Sequence, residues 1–286
     1  MFKIVHNLFK DGTSGAVTMS FDDACVQDER LVEIFDTYGI KGTFNINAGR
    51  VHPNAIPVSK ATEVYKSHEI ACHGYYHLDP SGITTAQFGA DVFRDRQAIE
   101  SATGRVIEGF AYPFGAYNDT SESVLASIGI KYARTVESTL RFDLIPDNFL
   151  KWNPTCHQSV AQDYVDLFAE KVDAFTRNLT LFYIWGHGFE FKTEEDWSRI
   201  EDICERLSRI EAVWFATNIE IYDYIQALRN LRYSIDNTLV LNSSSTDVWI
   251  NVIDPIADIE YRYPVAVKIP SGQQVDLRIA YLEGRK

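Results

Sequence analysis

The chain has 286 residues, 45% of them hydrophobic, enough for one large α/β barrel or for two domains with a sizeable core. Its 27 basic and 40 acidic residues leave a formal charge of −13, which argues against a nucleic-acid partner and against docking on anionic lipid. No apolar stretch is long enough to span a bilayer, and the first residues lack an apolar segment followed by a small-residue cleavage site. Cys25, Cys72, Cys156 and Cys204 show no framework spacing, so reduced thiols and a cytoplasmic location are expected.

In chain order, the strand-like runs are "AVTMSF" (16–21), "TFNIN" (43–47), "EIAC" (69–72), "GFAYPF" (109–114), "KYART" (131–135), "LTLFYIWG" (179–186) and "AVWFATN" (212–218). Such continuous apolar runs suit a sheet buried on both faces. Helical segments alternate with them. In "DERLVEIFDTYG" (28–39), Leu31, Ile34, Phe35 and Tyr38 form one apolar stripe, and Gly39 supplies a C-cap. "AQDYVDLFAEKVDAF" (161–175) and "EIYDYIQALRNL" (220–231) read the same way. "TEEDWSRIEDICERLSRI" (193–210) opens with Thr193 and three acids at the positive end of the helix dipole, and turns Trp197, Ile200, Ile203, Cys204 and Leu207 inward.

About seven β/α units predict a distorted or incomplete parallel (β/α) barrel over residues 1–230. No Gly-rich phosphate loop follows the first strand, which counts against a dinucleotide-binding sheet. From Tyr233 the texture changes to short alternating runs separated by turn clusters, among them "STDVWINV" and "YPVAVKIP". Residues 231–286 are therefore expected to form a small antiparallel β module packed on the barrel, too small to be comfortable alone.

Barrel enzymes carry their catalytic groups at the C-terminal ends of the strands. "TMSFDDAC" (18–25) ends such a strand in two adjacent carboxylates, for which the ordinary reading is a turn or a helix cap. His73 and His77 follow the third run, in "HEIACHGYYH", and His187 follows "LFYIWG". Three of the seven histidines thus stand at two strand tips, with paired acids at a third. Two histidines and a carboxylate are the usual ligand set of catalytic zinc or of iron(II) and similar ions, with open positions left for water and substrate. A second, unligated carboxylate beside them acts as base on that water. This gives the Asp pair two different jobs.

The motifs "SFDD", "HGYYH", "YPFG" and "WGH" occur in the order found in the polysaccharide deacetylases of the chitooligosaccharide deacetylase or NodB-homology type, which the chain resembles over about residues 14–220. The resemblance implies a distorted (β/α) barrel and metal-dependent removal of acetyl groups from N-acetylated, sometimes O-acetylated, sugars. It implies Asp22 as base, Asp23, His73 and His77 as ligands of one divalent ion, and His187 as general acid. The expected ion is Zn2+, with Co2+, Ni2+ or Fe2+ as alternatives. The expected partner is an acetylated saccharide. The oxyanion would be held by the ion and by the N–H of Phe114, just after Pro113, with Tyr112 beside them.

Several positions depart from the family pattern. Gly74 replaces the usual Ser or Thr after the first His, removing a hydroxyl that would brace the loop. Ala111 stands where an Arg usually orients the base. Arg134 is the candidate substitute, although a surface position is expected for it. Trp185 replaces a smaller aliphatic residue and would reshape the acyl pocket. "KWNPTCH" (151–157) occupies the region of the unaligned acidic motif, with Trp152 and His157 as pocket candidates. Glu190 is expected to be an exposed loop acid, with orientation of His187 as the alternative. Cys25 and Cys72 are expected as small buried thiols, and Asn218 as a helix cap or a substrate contact. Two other functions fit the same residues: hydrolysis of a small cyclic amide such as allantoin, and weakly catalytic carbohydrate binding, suggested by the missing Arg.

Overall fold

In a computed structural model, which describes residues 1–255 and 263–285, a short strand β1 (Lys3–Val5) precedes the parallel strands of the barrel. These are β2 (Gly15–Asp22), β3 (Gly42–Ile46), β4 (Glu69–Cys72), β5 (Gly109–Ala111), β6 (Tyr132–Arg134), β7 (Cys156–His157), β8 (Thr180–His187) and β9 (Val213–Phe215). They form one curled sheet in the order β6-β5-β4-β3-β2-β8-β7, with β9 beside the first half of β2. The barrel is incomplete between β6 and β7. There the chain bridges the gap irregularly: Trp152 N donates to Ala133 O (2.9 Å) and Thr155 N to Tyr183 O (2.8 Å). The seven expected strands are present, and β7 is an eighth that the sequence pattern did not suggest. β5 stops at Ala111, short of the expected 114, because Pro113 has no N–H for a ladder and begins a single 3-10 turn instead.

Alternation along each strand separates two environments. On β2, Val17, Met19 and Phe21 point outward into an apolar core against the helices, each worth about 1.5–3 kcal/mol of burial. Ala16, Thr18, Ser20 and Asp22 occupy the other face, inside the barrel, and all are buried. The helices around the sheet are α1 (Asp28–Tyr38), α2 (Ala61–Val64), α3 (Thr85–Thr103), α4 (Asp119–Ser127), α5 (Val165–Asp173), α6 (Glu194–Ser208) and α7 (Asn218–Arg229). α1 ends on Gly39 at φ +68, and Thr193 caps α6 in a reciprocal box with Asp196, as the sequence predicts. No helix among the described residues is long and apolar enough to cross a membrane.

A second apolar core joins α7 to the C-terminal elements: β10 (Arg232–Tyr233), β11 (Leu239–Leu241), β12 (Val248–Ile253), β13 (Val265–Ile269), β14 (Gln274–Asp276) and α8 (Leu277–Glu283). The strands form two small antiparallel sheets, β1-β12-β13 and β10-β11-β14. Val240, Val248, Ile250, Val252 and Ile269 pack there with Ile221, Tyr224, Ile225 and Leu228 of α7. Residues 256–262 and Lys286 of the expected C-terminal module lie outside the described residues.

Candidate active site

Register places the chemistry on one level. Asp22 is opposite Asn45 on β3 and opposite His187 on β8. Its Oδ1 accepts from Asn45 Nδ2 (2.8 Å), and its Oδ2 forms an ion pair with Arg134 Nη2. His73 Nε2 lies 3.7 Å and His187 Nε2 4.0 Å from the same Oδ2. Burial pushes the Asp22 carboxyl up, but the Arg134 guanidinium, with His73 and His187, outweighs it and holds the group below the usual carboxylate range.

Asp23 follows the strand with φ +79. Its buried Oδ1 lies 4.0 Å from both His73 Nε2 and His77 Nε2, which are themselves 3.1 Å apart. That oxygen makes no hydrogen bond; Arg50 Nη1 approaches it to 2.6 Å as a counter-ion only. Ligands about 2.0–2.2 Å from a tetrahedral zinc would be ~3.4 Å apart, so the three atoms suit a divalent ion. His73 Nδ1 donates to Ala111 O (2.8 Å), which leaves Nε2 as a lone pair facing the gap. Burial, with His73 alongside, lowers His77 to about 4, the neutral form a ligand needs.

The loops are held rigidly. Asp95 on α3 accepts from Ala48 N (2.8 Å) and His73 N (3.0 Å), and Asp91, one turn earlier, accepts from Tyr76 N (2.9 Å). Asn47 Nδ2 donates to the carbonyls of His73 (2.7 Å) and Gly74 (2.8 Å). This bracing replaces the hydroxyl that Gly74 lacks. Gly74 itself has φ +80, and a Cβ there would meet Asp91 Oδ2 at 2.8 Å. Gly188 has no room either, since its Cβ would lie 2.1 Å from Asp28 Oδ1. Asp28, Cys25 and Tyr65 form a buried cluster under the loop, in which Cys25 Sγ (3.2 Å) and Tyr65 Oη (2.7 Å) both donate to Asp28. Asp23, Ala24, His77 and Phe114 are four of the eight non-glycine residues with positive φ among the described residues. Each such conformation costs on the order of 1–3 kcal/mol and concentrates at working sites.

On the β8 side, Glu190 contacts both neighbouring imidazoles. His157 Nε2 lies 3.0 Å from Oε2 and His187 Nδ1 3.4 Å from Oε1. The Glu190 carboxyl is driven far below its usual range, its partial burial being outweighed by His157 and His187. His187 is lowered by burial but raised more by Glu190 and Asp22, so its net shift is upward. Trp185 lies between these groups, with its ring centroid 4.5 Å from the Arg134 guanidinium and 4.8 Å from the His157 ring.

Several expectations change. Arg134 is not on the surface: it is completely buried, it pairs with Asp22, and it is opposite Ala111 in the β5–β6 register. An Arg at 134 therefore reaches the same space that one at 111 would fill. Glu190 is half-buried and engaged, not a free loop acid. Trp152 does not line the mouth; it is buried among Tyr132, Phe149 and Tyr183. Tyr112 is also buried, its hydroxyl donating to Leu150 O (2.9 Å), and Pro113 is buried beside it. Phe114 is exposed, with its ring 4.5 Å from that of His77. Asn218 neither caps nor faces outward: Thr217 is the cap, and Asn218 is buried between Thr18, Thr43 and Tyr183. Cys25 and Cys72 are buried free thiols, as expected.

The supporting residues Asn45, Asn47, Asp91 and Asp95 were not anticipated, although two signals were available. Asn45 and Asn47 alternate in the run 43–47, and Asp91 and Asp95 share one face of a helix. Arg50 carried no signal. Clefts of about 280 and 290 Å³ open beside Asp23, the first reaching Gln27, His52, Asn54 and Phe189 and the second Tyr76 and His77; Arg50 lines both.

A curled parallel sheet thus brings paired acids and two histidines together at one end of an incomplete barrel. The family model described as polysaccharide deacetylase matches residues 10–133, so over that stretch the chain is similar to the polysaccharide deacetylases. The matched stretch carries Asp22, Asp23, His73 and His77 and ends one residue before Arg134. Among solved structures, a Mycobacterium smegmatis protein assigned to the polysaccharide deacetylases aligns with TM-score 0.59 at 17% identity, over 77% of this chain and 93% of that one. The Xyl-CE4 domain of a multidomain xylanase from the hindgut metagenome of Trinervitermes trinervoides gives 0.51 at 19%, over 77% and 95%. These likenesses are of fold. No curated protein gives a significant match.

Proposed function

We propose that the protein is a divalent-metal-dependent deacetylase of an acetylated saccharide. The carrying observation is the set Asp23, His73 and His77, whose ligand atoms lie within 4.8 Å of one another, beside an Asp22 that is paired with Arg134. Asp23, His73 and His77 would hold the ion, most plainly Zn2+. Such an ion lowers the pKa of its water and polarises the acetyl carbonyl.

Asp22, kept ionised by Arg134, takes the proton of the attacking water. The Phe114 N–H donates to the oxyanion. His187, whose pKa Glu190 and Asp22 raise against the effect of burial, gives its proton to the leaving amine, which departs poorly without one. Arg134 also removes the reason for expecting weak catalysis, since the charge missing at Ala111 is supplied from the next strand. Acetate release from a panel of acetylated saccharides, with and without chelator and with allantoin as a control, tests this reading. Full activity in metal-free protein, or activity on allantoin alone, would overturn it.

Residues 231–286 we read as structural cover for the barrel. Truncation before Tyr233 should give insoluble or unstable protein, because α7 loses its partners in the second core. A soluble, normally melting truncation with altered substrate range would make the segment a sugar-binding appendage instead.

A further inference from the structure

Asp22 has a two-histidine, one-carboxylate set on each side of it. The first is Asp23, His73 and His77. The second is His157, His187 and Glu190, whose ligand atoms also lie within 4.8 Å of one another. We propose that this second set is a binding site for an additional divalent cation of the borderline class, such as Zn2+, and that filling it silences the enzyme. The inhibitory half of this inference rests on the deacetylase reading above; the binding half does not.

The donors come from adjoining strands. His157 ends β7 and His187 ends β8, and the register of these strands places His157 beside Trp185, two residues before His187. Imidazole nitrogen and carboxylate oxygen are what zinc and its neighbours select. His187 Nδ1 is buried yet makes no hydrogen bond, although it faces Glu190 Oε1 at 3.4 Å. His157 Nδ1 accepts from Ser159 N (3.3 Å) and lies 2.8 Å from Ser159 Oγ, which turns Nε2 toward Glu190 Oε2 at 3.0 Å; an ion bound there takes the place of the Nε2 proton. The three side chains are 23–29% exposed, so an ion can reach them from solvent.

The two sets differ in readiness. Asp23 Oδ1 has no hydrogen bond and one exposed counter-ion, Arg50 at 2.6 Å, whereas Glu190 Oε2 already accepts from Gln158 Nε2 (3.2 Å) and His187 N (3.2 Å) in addition to facing His157. The second ion therefore binds more weakly, and only when free metal exceeds what the first centre needs. Coordination through Nδ1 replaces the proton that makes His187 an imidazolium. The ring then keeps only the Nε2 proton, on the side facing Asp22 at 4.0 Å, and does not release it at neutral pH. The leaving amine loses its acid.

Equilibrium dialysis of the purified protein against graded free Zn2+, with metal counted per chain, tests the site without reference to turnover. Wild type should reach two ions, the second filling at about 10- to 100-fold higher free zinc. H157N and E190Q should stop at one, while D23N should retain only the weaker ion. Acetate release should fall as the second ion fills and recover when free zinc is lowered, and residual activity of H157N should be insensitive to high zinc. Saturation of wild type at one ion, or a second ion persisting in both H157N and E190Q, overturns the site. Two ions without inhibition of acetate release overturns the inhibitory role alone. If no acetate is released under any condition, the deacetylase reading fails while the stoichiometry still decides the site.

Discussion

The barrel interior is polar at both ends, but the two ends treat their polar atoms oppositely. At the base, Glu69 accepts from Tyr132 Oη (2.7 Å), Thr43 Oγ1 (2.9 Å) and Ile219 N (2.9 Å). Asn218 beside it accepts from Thr18 Oγ1 (2.8 Å) and donates to Tyr183 Oη (2.6 Å). Burial lifts Glu69 to about 7, yet its own oxygens are answered from within the chain, and the unpartnered atom nearby is Trp152 Nε1, packed against Tyr132 and Tyr183. At the mouth, Asp23 Oδ1, His187 Nδ1, Trp185 Nε1 and Arg134 Nε are buried without a hydrogen bond, the first two facing only a counter-charge, Arg50 and Glu190. An unanswered buried polar atom costs about 1–3 kcal/mol. A network that closes on itself holds the fold, and one left open is waiting for something the chain does not supply.

The comparison breaks most visibly at the paired acids. Asp22→Asn and Asp23→Asn should each reduce acetate release to near background, but metal analysis should find Asp22→Asn still loaded and Asp23→Asn empty of its tight ion. Equal loss of metal in both would mean that the two carboxylates share one job. His187→Ala should slow amide substrates by roughly a hundred- to ten-thousand-fold while sparing activated esters, whose leaving groups need no proton. Equal losses on both substrates would make His187 a packing residue beside Trp185.

Arg134→Met leaves the buried Asp22 carboxylate without its cation. Unfolding in urea should show a loss of about 3–5 kcal/mol. Because Arg134 lowers the pKa of Asp22, its removal should move the acid limb of the activity profile to higher pH. Glu190→Gln should do the reverse at the other limb: Glu190 raises His187, so the alkaline limb should move to lower pH. The smallest effect is expected at the base. Asn218→Ala should cost about 1–3 kcal/mol in unfolding and leave both limbs and the metal content unchanged. A shifted pH profile in that variant would show that the two ends are not independent.

The positions of Asp22, Asp23, His73 and His187 were legible because each stands at or just after the end of a continuous apolar run, within a short motif that also carries His77. The bracing was less legible. Asp95 holds the His73 backbone from a helix 22 residues further along the chain, and no local signal connects them. Trp152 was misplaced for a related reason: an aromatic residue near an expected pocket and one buried in a core have the same local sequence.

Composition and hydrophobic period were sufficient for the strand–helix alternation and the parallel sheet, since these depend on the pattern of runs along the chain. Arg134 shows where that reasoning ends. Its distance from Asp22 along the chain is 112 residues, and its charge reaches the carboxylate only because β6 lies next to β5 and turns position 134 inward opposite Ala111. Burial and pairing are properties of the closed sheet. Whether a cation meets solvent or a carboxylate was therefore decided by strand register, on which the residues flanking Arg134 carry no information.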